Sequence, residues 1–191
     1  MANPISALQA ARRIGRFGTT EMPWVTIEEI TGFGLLQFAA WASTLAETGA
    51  EAARVAGCSA SPAPGQSVRG ANGTLLRVEP LKWWLLVPAV AKTPDPELAP
   101  QKGAVLDLLQ SRCWLRISGS PAETLLNHFL PLNLGSGAFP AGAVAITAFH
   151  HTGVTLWRDV QGLNLLMPRS TARSLWELLS ESARQYGLAE K

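Results

Sequence analysis

Hydrophobic and polar positions alternate with two periods along this chain, which predicts a mixture of strands and helices. Residues 103–110 fit either a strand or a helix. Residues 74–79 and 82–87 are joined tightly at Pro80-Leu81 and predict a hairpin. The segments that have the length and pattern of strands are 35–41, 74–79, 82–87, 112–118, about 143–149, 153–158 and 162–167.

Helical spacing follows three capping signals. Thr44 and Glu47 have the spacing of a capping box, which predicts a helix that ends at Gly57. Ser120 and Pro121 predict the start of a second helix. The third helix is the best defined, with Ser170 as its N-cap and Gly187 after its end. Its apolar stripe contains Ala172, Leu175, Trp176, Leu179, Ala183 and Tyr186.

The order strand, helix, strand, strand occurs twice. The hairpin segments 73–88 and 153–168 also align with each other at an offset of 80 residues. We therefore predict an α+β fold of two similar lobes, residues 25–102 and 103–191. Residues 1–24 lack periodicity and contain several arginines and glycines, so they are predicted to form an extended arm that is disordered or ordered by a partner.

The composition favours a subunit that hides much of its surface. Charged residues make up 16% of the chain, against about 25% in ordinary soluble domains. The chain also contains seven tryptophans, a residue type that is enriched at the centres of protein interfaces. Either all seven fill the core, or some face a partner. We expect Trp24 and one of Trp83 and Trp84 to face a partner, since adjacent strand residues point to opposite sides.

Arginines offer two further groups of candidates. Arg12, Arg13 and Arg16 of the arm are predicted to contact a partner. A second set lies in the C-terminal half, where the arginines either receive acidic groups from a partner or form ordinary ion pairs. That set is Arg112, Arg116, Arg158, Arg169 and Arg173.

Several classes of protein are excluded by simple features. The net charge is +2 and no basic stripe is present, so nucleic-acid binding is not predicted. Cys58 and Cys113 form no CxxC motif of a zinc ribbon or redox site. Residues 1–13 lack the apolar core of a signal peptide, and no apolar stretch approaches the ~20 residues of a membrane span. A cytoplasmic location is expected.

No catalytic, cofactor-binding or metal-binding residue is predicted. His150 and His151 are adjacent, so a strand end with one inward and one outward side chain is expected there. No GxSxG motif is present. The GxG at 32–34 precedes a strand instead of following one, unlike a dinucleotide-binding fingerprint.

Five segments together resemble a known family. They include an arginine–serine–glycine strand, a Phe-Pro-x-Gly loop and the helix start PRSTARSLW. The segments are residues 32–41, 76–86, 111–134, 138–159 and 163–187. They resemble the gamma subunit of heterotetrameric sarcosine oxidase. The chain departs from the family at residues 107–112, where DLLQSR stands in place of a DLSHSR-like stretch.

The resemblance implies a non-catalytic structural subunit whose partners are the alpha, beta and delta subunits. Such complexes demethylate sarcosine to glycine, with formation of hydrogen peroxide and methylenetetrahydrofolate. FAD, FMN, NAD, tetrahydrofolate and zinc are expected on the other subunits and none on this chain. The implied fold is similar to part of the folate-binding aminomethyltransferases. Two alternatives stay open: a gamma-like subunit of a related N-methyl amine oxidase, and a stand-alone folate-binding module.

Overall fold

The structure, a computed structural model, describes residues 6–18, 24–88 and 93–191. These residues form two sheets and three α-helices, which confirms the predicted α+β class. The chain divides into two compact units. Unit 1 comprises Met1–Thr31, Ser111–Ala141 and Ala145–Lys191, and unit 2 comprises Gly32–Gln110 and Gly142–Val144.

The elements are as follows in chain order. The strands are β1 (Gly15–Phe17), β2 (Val25–Ile30), β3 (Gly34–Ala40), β4 (Ser67–Arg69), β5 (Thr74–Glu79), β6 (Lys82–Val87), β7 (Gly103–Asp107), β8 (Arg112–Ser118), β9 (Val144–Phe149), β10 (Thr152–Asp159), β11 (Gly162–Pro168) and β12 (Leu188–Glu190). The helices are α1 (Leu45–Ala56), α2 (Ala122–Asn127) and α3 (Ala172–Ala183). Short 3-10 turns lie at Ala42–Thr44, Leu109–Ser111 and Arg184–Tyr186.

Unit 2 is a five-stranded sheet in the order β4-β5-β6-β3-β7, with α1 packed against one face. The core between them contains Phe38 and Trp83 from the sheet and Val55 from the helix, all almost fully buried. The helix ends at Gly57 as predicted, where a φ of 72° places the residue in the left-handed region. Its predicted capping box does not form. The Thr44 hydroxyl instead donates to the carbonyl oxygens of Trp41 and Lys102.

Unit 1 is a seven-stranded sheet in the order β1-β12-β2-β8-β11-β10-β9. In β8 every second side chain is buried, as the alternation predicted. The predicted stripe of α3 is also buried from Ala172 to Ala183. The helix begins one residue later than expected, with Thr171 as the N-cap instead of Ser170. The helix α2 begins after Pro121, and the predicted Ser120 cap is not formed.

The two units repeat one arrangement of strands. In each, a strand and a helix are followed by three strands, and the sheets run β4-β5-β6-β3 and β9-β10-β11-β8. Both hairpins have two-residue turns, at 80–81 and 160–161. A bulge between Arg77 and Glu79 shifts the register of the first hairpin. Leu156 pairs with Leu165 in the second hairpin, and Leu75 pairs with Leu85 in the first. The structural equivalent of Leu156 is therefore Leu75, whereas the sequence alignment indicated Leu76.

The strand that precedes each repeat in the chain joins the sheet of the other repeat. β2 precedes β3 in the chain but pairs with β8, and β7 precedes β8 but pairs with β3. The predicted lobe boundaries, 25–102 and 103–191, are corrected by this exchange. A boundary at residue 102 would separate β2 from β8, and β7 from β3, although each pair is hydrogen-bonded.

The described part of the predicted arm is folded against unit 1. Leu8 is fully buried, and β1 pairs with β12. An extended arm is therefore wrong for residues 6–18, while residues 1–5 and 19–23 lie outside the described ranges. None of the helices within those ranges is long and apolar enough to cross a membrane.

A tight backbone approach at Gly119 provides a test of the fold. Gly119 follows β8 with a φ of +107°, and a Cβ there would lie 1.9 Å from the carbonyl oxygen of Trp24. Gly119→Ala should lower the free energy of unfolding by about 2 kcal/mol or more. Thermal unfolding of the protein, in the form in which it purifies, measures this. Gly153→Ala is the matched control, because no atom lies within 4 Å of its Cβ position. Equal unfolding midpoints would contradict the described turn.

Candidate functional site

Among the five C-terminal arginines, Arg158 and Arg116 make several side-chain contacts within unit 1, and Arg158 is the clearer case. Its Nε donates to the carbonyl oxygen of Phe139 at 2.7 Å. Its Nη2 donates to Glu123 Oε1 at 2.8 Å and to the carbonyl oxygen of Leu134 at 2.5 Å. The side chain is only 16% exposed. Arg158 therefore fastens the loop after α2 onto β10, which is a structural role.

Arg116 belongs to a polar network on one face of the same sheet. Its Nε donates to Asn164 Oδ1 at 3.3 Å, and Trp114 Nε1 donates to the same oxygen at 3.0 Å. Its Nη1 lies 3.7 Å from Glu28 Oε2. Asn164 is fully buried, and the ring centroids of Trp114 and Trp157 are 5.3 Å apart. These contacts fix Arg116 between its strand neighbours.

The other three arginines meet at one depression, which we call the arginine depression. It has a volume of ≈ 740 Å³ and is open to solvent. Among the described residues that line it, none is acidic. They are Ala7, Ser111, Arg112, Pro168, Arg169, Ser170 and Arg173.

Sheet register brings these arginines together at the start of α3. Arg112 opens β8 and pairs with Pro168 at the end of β11. Arg169 follows directly, and its backbone N–H donates to the carbonyl oxygen of Ser111 at 3.0 Å. Arg173 lies on the first turn of α3 and donates to Glu177 Oε1 at 2.8 Å. Partial burial lowers the pKa of the Arg112 guanidinium from its ordinary value.

The arrangement is suited to anionic groups. Guanidinium groups bind carboxylates and phosphates through paired hydrogen bonds. The N-terminus of α3 adds the positive end of the helix dipole. Its N-cap, Thr171, makes no side-chain hydrogen bond to the first turn of the helix. Sequence reasoning named the three arginines but could not separate them from Arg116 and Arg158.

Two buried carboxylates hold the N-terminal segment. Glu29 accepts hydrogen bonds from the Ser6 hydroxyl at 2.5 Å and from Arg12 Nη1 at 3.2 Å. Glu190 accepts a hydrogen bond from the backbone N–H of Arg13 at 2.9 Å. The Arg12 guanidinium is thus paired within unit 1, and its predicted contact with a partner stays a prediction.

Arg13 and Arg16 are exposed, and their predicted contact with a partner stays a prediction. Arg13 lines a smaller cavity of ≈ 290 Å³ in unit 1, together with Trp176, Ser180 and Arg184. The Ser180 hydroxyl is buried there without a hydrogen-bond partner. Because acidic and basic groups are mixed around this cavity, it does not select a charge.

The predicted tryptophans separate by exposure. Trp24 is 60% exposed, and its predicted contact with a partner stays a prediction. Trp83 and Trp84 are 1% and 7% exposed, so the expectation that one of them faces a partner is wrong. They do point to opposite sides of β6, but both positions are covered. Trp84 Nε1 donates to Gln37 Oε1 at 3.0 Å. Trp41, which the sequence reasoning did not select, is 50% exposed.

The histidines lie at a turn and at a helix end. His150 and His151 form the turn between β9 and β10, and both are exposed instead of lying one inward and one outward. His150 has a φ of 52°, which lets the turn close. His128 is exposed at the end of α2. Among the described residues, no group of three His, Cys, Asp or Glu side chains could hold a metal ion.

No family model matches the chain, and no curated protein matches its sequence. Among solved structures, it is similar to a chain of heterotetrameric sarcosine oxidase from Corynebacterium sp. U-96, solved in complex with pyrrole 2-carboxylate. The TM-score is 0.71 at 22% identity, over 89% of this chain and 88% of that chain.

A second solved structure is the glycine cleavage system aminomethyltransferase T from Bartonella henselae. Its TM-score is 0.60 at 15% identity, over 87% of this chain and 47% of that chain. This chain therefore spans about half the length of that protein. The two likenesses confirm the predicted aminomethyltransferase-type fold.

Cysteine reactivity gives one test of the described core. Cys58 and Cys113 are free thiols. Burial and the nearby Glu29 carboxylate raise the pKa of the Cys113 thiol to about 12. It should therefore stay protonated, and unreactive to iodoacetamide, well above neutral pH. Timed alkylation at pH 8 with mass spectrometry should label Cys113 only after unfolding, with half-buried Cys58 labelled earlier. Rapid labelling of native Cys113 would contradict its described burial.

The contrast between Arg158 and Arg173 gives a second test. Arg158→Met should lower the free energy of unfolding by about 2–3 kcal/mol, because it leaves two carbonyl oxygens and Glu123 without their donor. Arg173→Met removes an exposed pair and should change it by less than about 0.5 kcal/mol. Denaturant titration of both variants measures the difference. If both variants lowered the free energy of unfolding equally, Arg158 would not have the structural role described here.

Proposed function

We propose that this chain is the non-catalytic gamma-type structural subunit of a sarcosine-oxidase-type complex. The observation that carries the proposal is the near end-to-end likeness to one chain of heterotetrameric sarcosine oxidase, which covers 89% of this chain and 88% of that chain. The overlap thus extends over most of both chains.

The use of charge within unit 1 supports a structural role. Ion pairs and carbonyl contacts that hold strands and loops in place are made by Arg116, Arg158 and Arg12. Cys113 is a buried, protonated thiol. The three arginines and Cys113 thus stabilise the fold. Under this proposal the reaction takes place on other subunits.

Exposed apolar side chains support assembly with partners. Ile14 is 75% exposed, Trp24 60% and Trp41 50%. Large aromatic side chains of this kind often supply much of the binding energy of an interface. With only 16% charged residues in the chain, burial of such surface against partners would also favour solubility.

Under this proposal the partners are the alpha, beta and delta subunits, and the complex resides in the cytoplasm. FAD, FMN, NAD, tetrahydrofolate and zinc would be bound by those subunits. The oxidised substrate would be sarcosine or, in the related alternative, another N-methyl amine.

The likeness to an aminomethyltransferase favours one further candidate, a stand-alone folate-binding module. The chain shares its fold over 87% of its length. The overlap includes only 47% of the aminomethyltransferase chain, so this reading requires half of that architecture to bind folate unaided. We therefore place it second.

Purification through a tag on this chain tests the proposal. The tagged chain should co-purify with flavin-bearing partners that oxidise sarcosine and release hydrogen peroxide. Expressed alone, it should aggregate or misfold, because its exposed apolar surface is uncovered. Visible flavin absorbance, subunit composition and peroxide formation with a set of N-methyl amines are the measurements.

A variant and a titration complete this test. Trp24→Ser should reduce the recovered flavin about tenfold or more if Trp24 is an interface anchor, with an unchanged circular dichroism spectrum. A soluble, monodisperse chain without flavin partners would contradict the proposal. Micromolar binding of tetrahydrofolate to that isolated chain would favour the folate-binding module.

A further inference from the structure

The turn between β4 and β5 closes the C-terminal end of α1. The backbone N–H of Ala71 donates to the carbonyl oxygen of Gly57 at 3.2 Å. Asn72 contributes two donors, its backbone N–H to the carbonyl oxygen of Ala56 at 3.0 Å and its side-chain Nδ2 to that of Val55 at 2.9 Å. Carbonyl groups at the end of a helix lack partners inside the helix and carry partial negative charge. The turn thus supplies donors to three consecutive carbonyls of the helix end.

The turn is packed closely against its surroundings. A Cβ at Gly70 would lie 2.2 Å from the carbonyl oxygen of Ala56. A Cβ at Gly73 would lie 2.3 Å from the carbonyl oxygen of Leu86. Val55 and Ala56 are fully buried members of the unit 2 core. An additional backbone atom in this turn would therefore displace a buried part of unit 2.

The same turn contains the one Asn-Gly pair of the sequence, Asn72-Gly73. Because glycine has no side chain, it leaves its backbone nitrogen unhindered, and asparagine before glycine is the context most prone to spontaneous deamidation. The other asparagines are followed by proline, histidine or leucine. They are Asn3, Asn127, Asn133 and Asn164.

The reaction at such a pair is intramolecular. The backbone nitrogen of Gly73 attacks Cγ of Asn72, and the bond from Cγ to Nδ2 breaks. The side-chain nitrogen leaves as ammonia and takes up the proton of the Gly73 amide. Water then opens the resulting succinimide at either carbonyl carbon, which gives aspartate or isoaspartate. The net change is the replacement of an amide by a carboxylate.

The fold opposes this reaction while the turn is closed. Nδ2 of Asn72 is the leaving group, and in the folded chain it is hydrogen-bonded to the carbonyl oxygen of Val55. The tight packing of the turn also restricts the approach of Cγ to the Gly73 nitrogen. Surface turns open locally at a lower free energy than global unfolding. The rate in the protein should therefore follow the fraction of molecules in which this turn is open.

We propose that Asn72 is the deamidation site of this chain and that its conversion detaches the turn from the end of α1. The product replaces the Nδ2 donor by a carboxylate oxygen. That oxygen faces the carbonyl oxygen of Val55 and the negative end of the helix dipole, so an attraction becomes a repulsion. Isoaspartate also adds a carbon to the backbone of a turn that has no room for it. The proposal concerns the lifetime of the fold and is independent of the proposed function.

Incubation of the purified protein at mildly alkaline pH tests the site. Trypsin releases residues 70–77 as one peptide, and its mass and isoaspartate content report the conversion of Asn72. Asn72 should convert before the other described asparagines, and about tenfold or more slowly than in a free peptide of residues 69–77. Protein unfolded in urea should react at the rate of the free peptide.

Three results of the incubation would overturn the proposal. The first is faster conversion at Asn133 than at Asn72. The second is an unchanged Asn72 after the free peptide has reacted completely. The third is equal rates in the folded protein and the free peptide, which would show that the turn does not hold Asn72 at the helix end.

A matched pair of variants tests the effect of the product. Asn133 uses Oδ1 as an acceptor for the backbone N–H of Gly135 at 3.0 Å, so Asn133→Asp keeps its hydrogen bond. Asn72 uses Nδ2 as a donor, so Asn72→Asp loses its hydrogen bond. The midpoint of thermal unfolding should fall by about 4 °C or more in Asn72→Asp, and by about 1 °C or less in Asn133→Asp.

The incubated wild-type protein provides the same readout without a substitution. A component that unfolds at a lower temperature should grow in proportion to the conversion of Asn72. Equal midpoints for the two variants, or an unchanged midpoint of the converted wild-type protein, would show that the product leaves the helix end in place and would overturn the proposal. A failure of Asn72→Asp to fold, with Asn133→Asp folded, would support it.

Discussion

The pairing of β2 with β8 is the constraint on which unit 1 depends. β2 lies between β12 and β8, so its removal would separate the C-terminal strand from the rest of the sheet. β12 in turn holds β1. The same strand carries Glu29, whose carboxylate binds Ser6 and Arg12. The exchange of β2 and β7 between the two sheets thus determines how both ends of the described chain are held.

Elements with one clear period were predictable from the sequence, and elements that break the period were not. The alternation of β8 and the stripe of α3 gave their buried faces directly. β2 was missed because the inward position that should be apolar is Glu29, a buried carboxylate. β4 was missed because it is short and lies within a segment rich in glycine, proline and serine. In both cases tertiary pairing overrides the local signal.

The candidate site was predictable only in composition. That arginines could meet an acidic partner follows from the sequence, but which of them meet does not. Arg112 and Arg169 come together through the register of β8 against β11, a long-range pairing that no local pattern encodes. The same limit applies to Arg12, whose ion-pair partner Glu29 lies 17 positions away. One of Trp83 and Trp84 was expected to face a partner, because the cover over a second sheet face cannot be read from one strand.

The strand exchange also sets an order of events during synthesis. Unit 2 can pair β3 to β7 among themselves as soon as residue 107 has been made, since these five strands are neighbours in both chain and sheet. β2 is made before all of them, yet Thr26 pairs with Ser118, and Gly15 pairs with Glu190 near the very end. β1 and β2 therefore stay unpaired until β12 and β8 have been made. A nascent chain in that condition is prone to wrong pairings, and a product truncated before β12 would leave β1 without its partner.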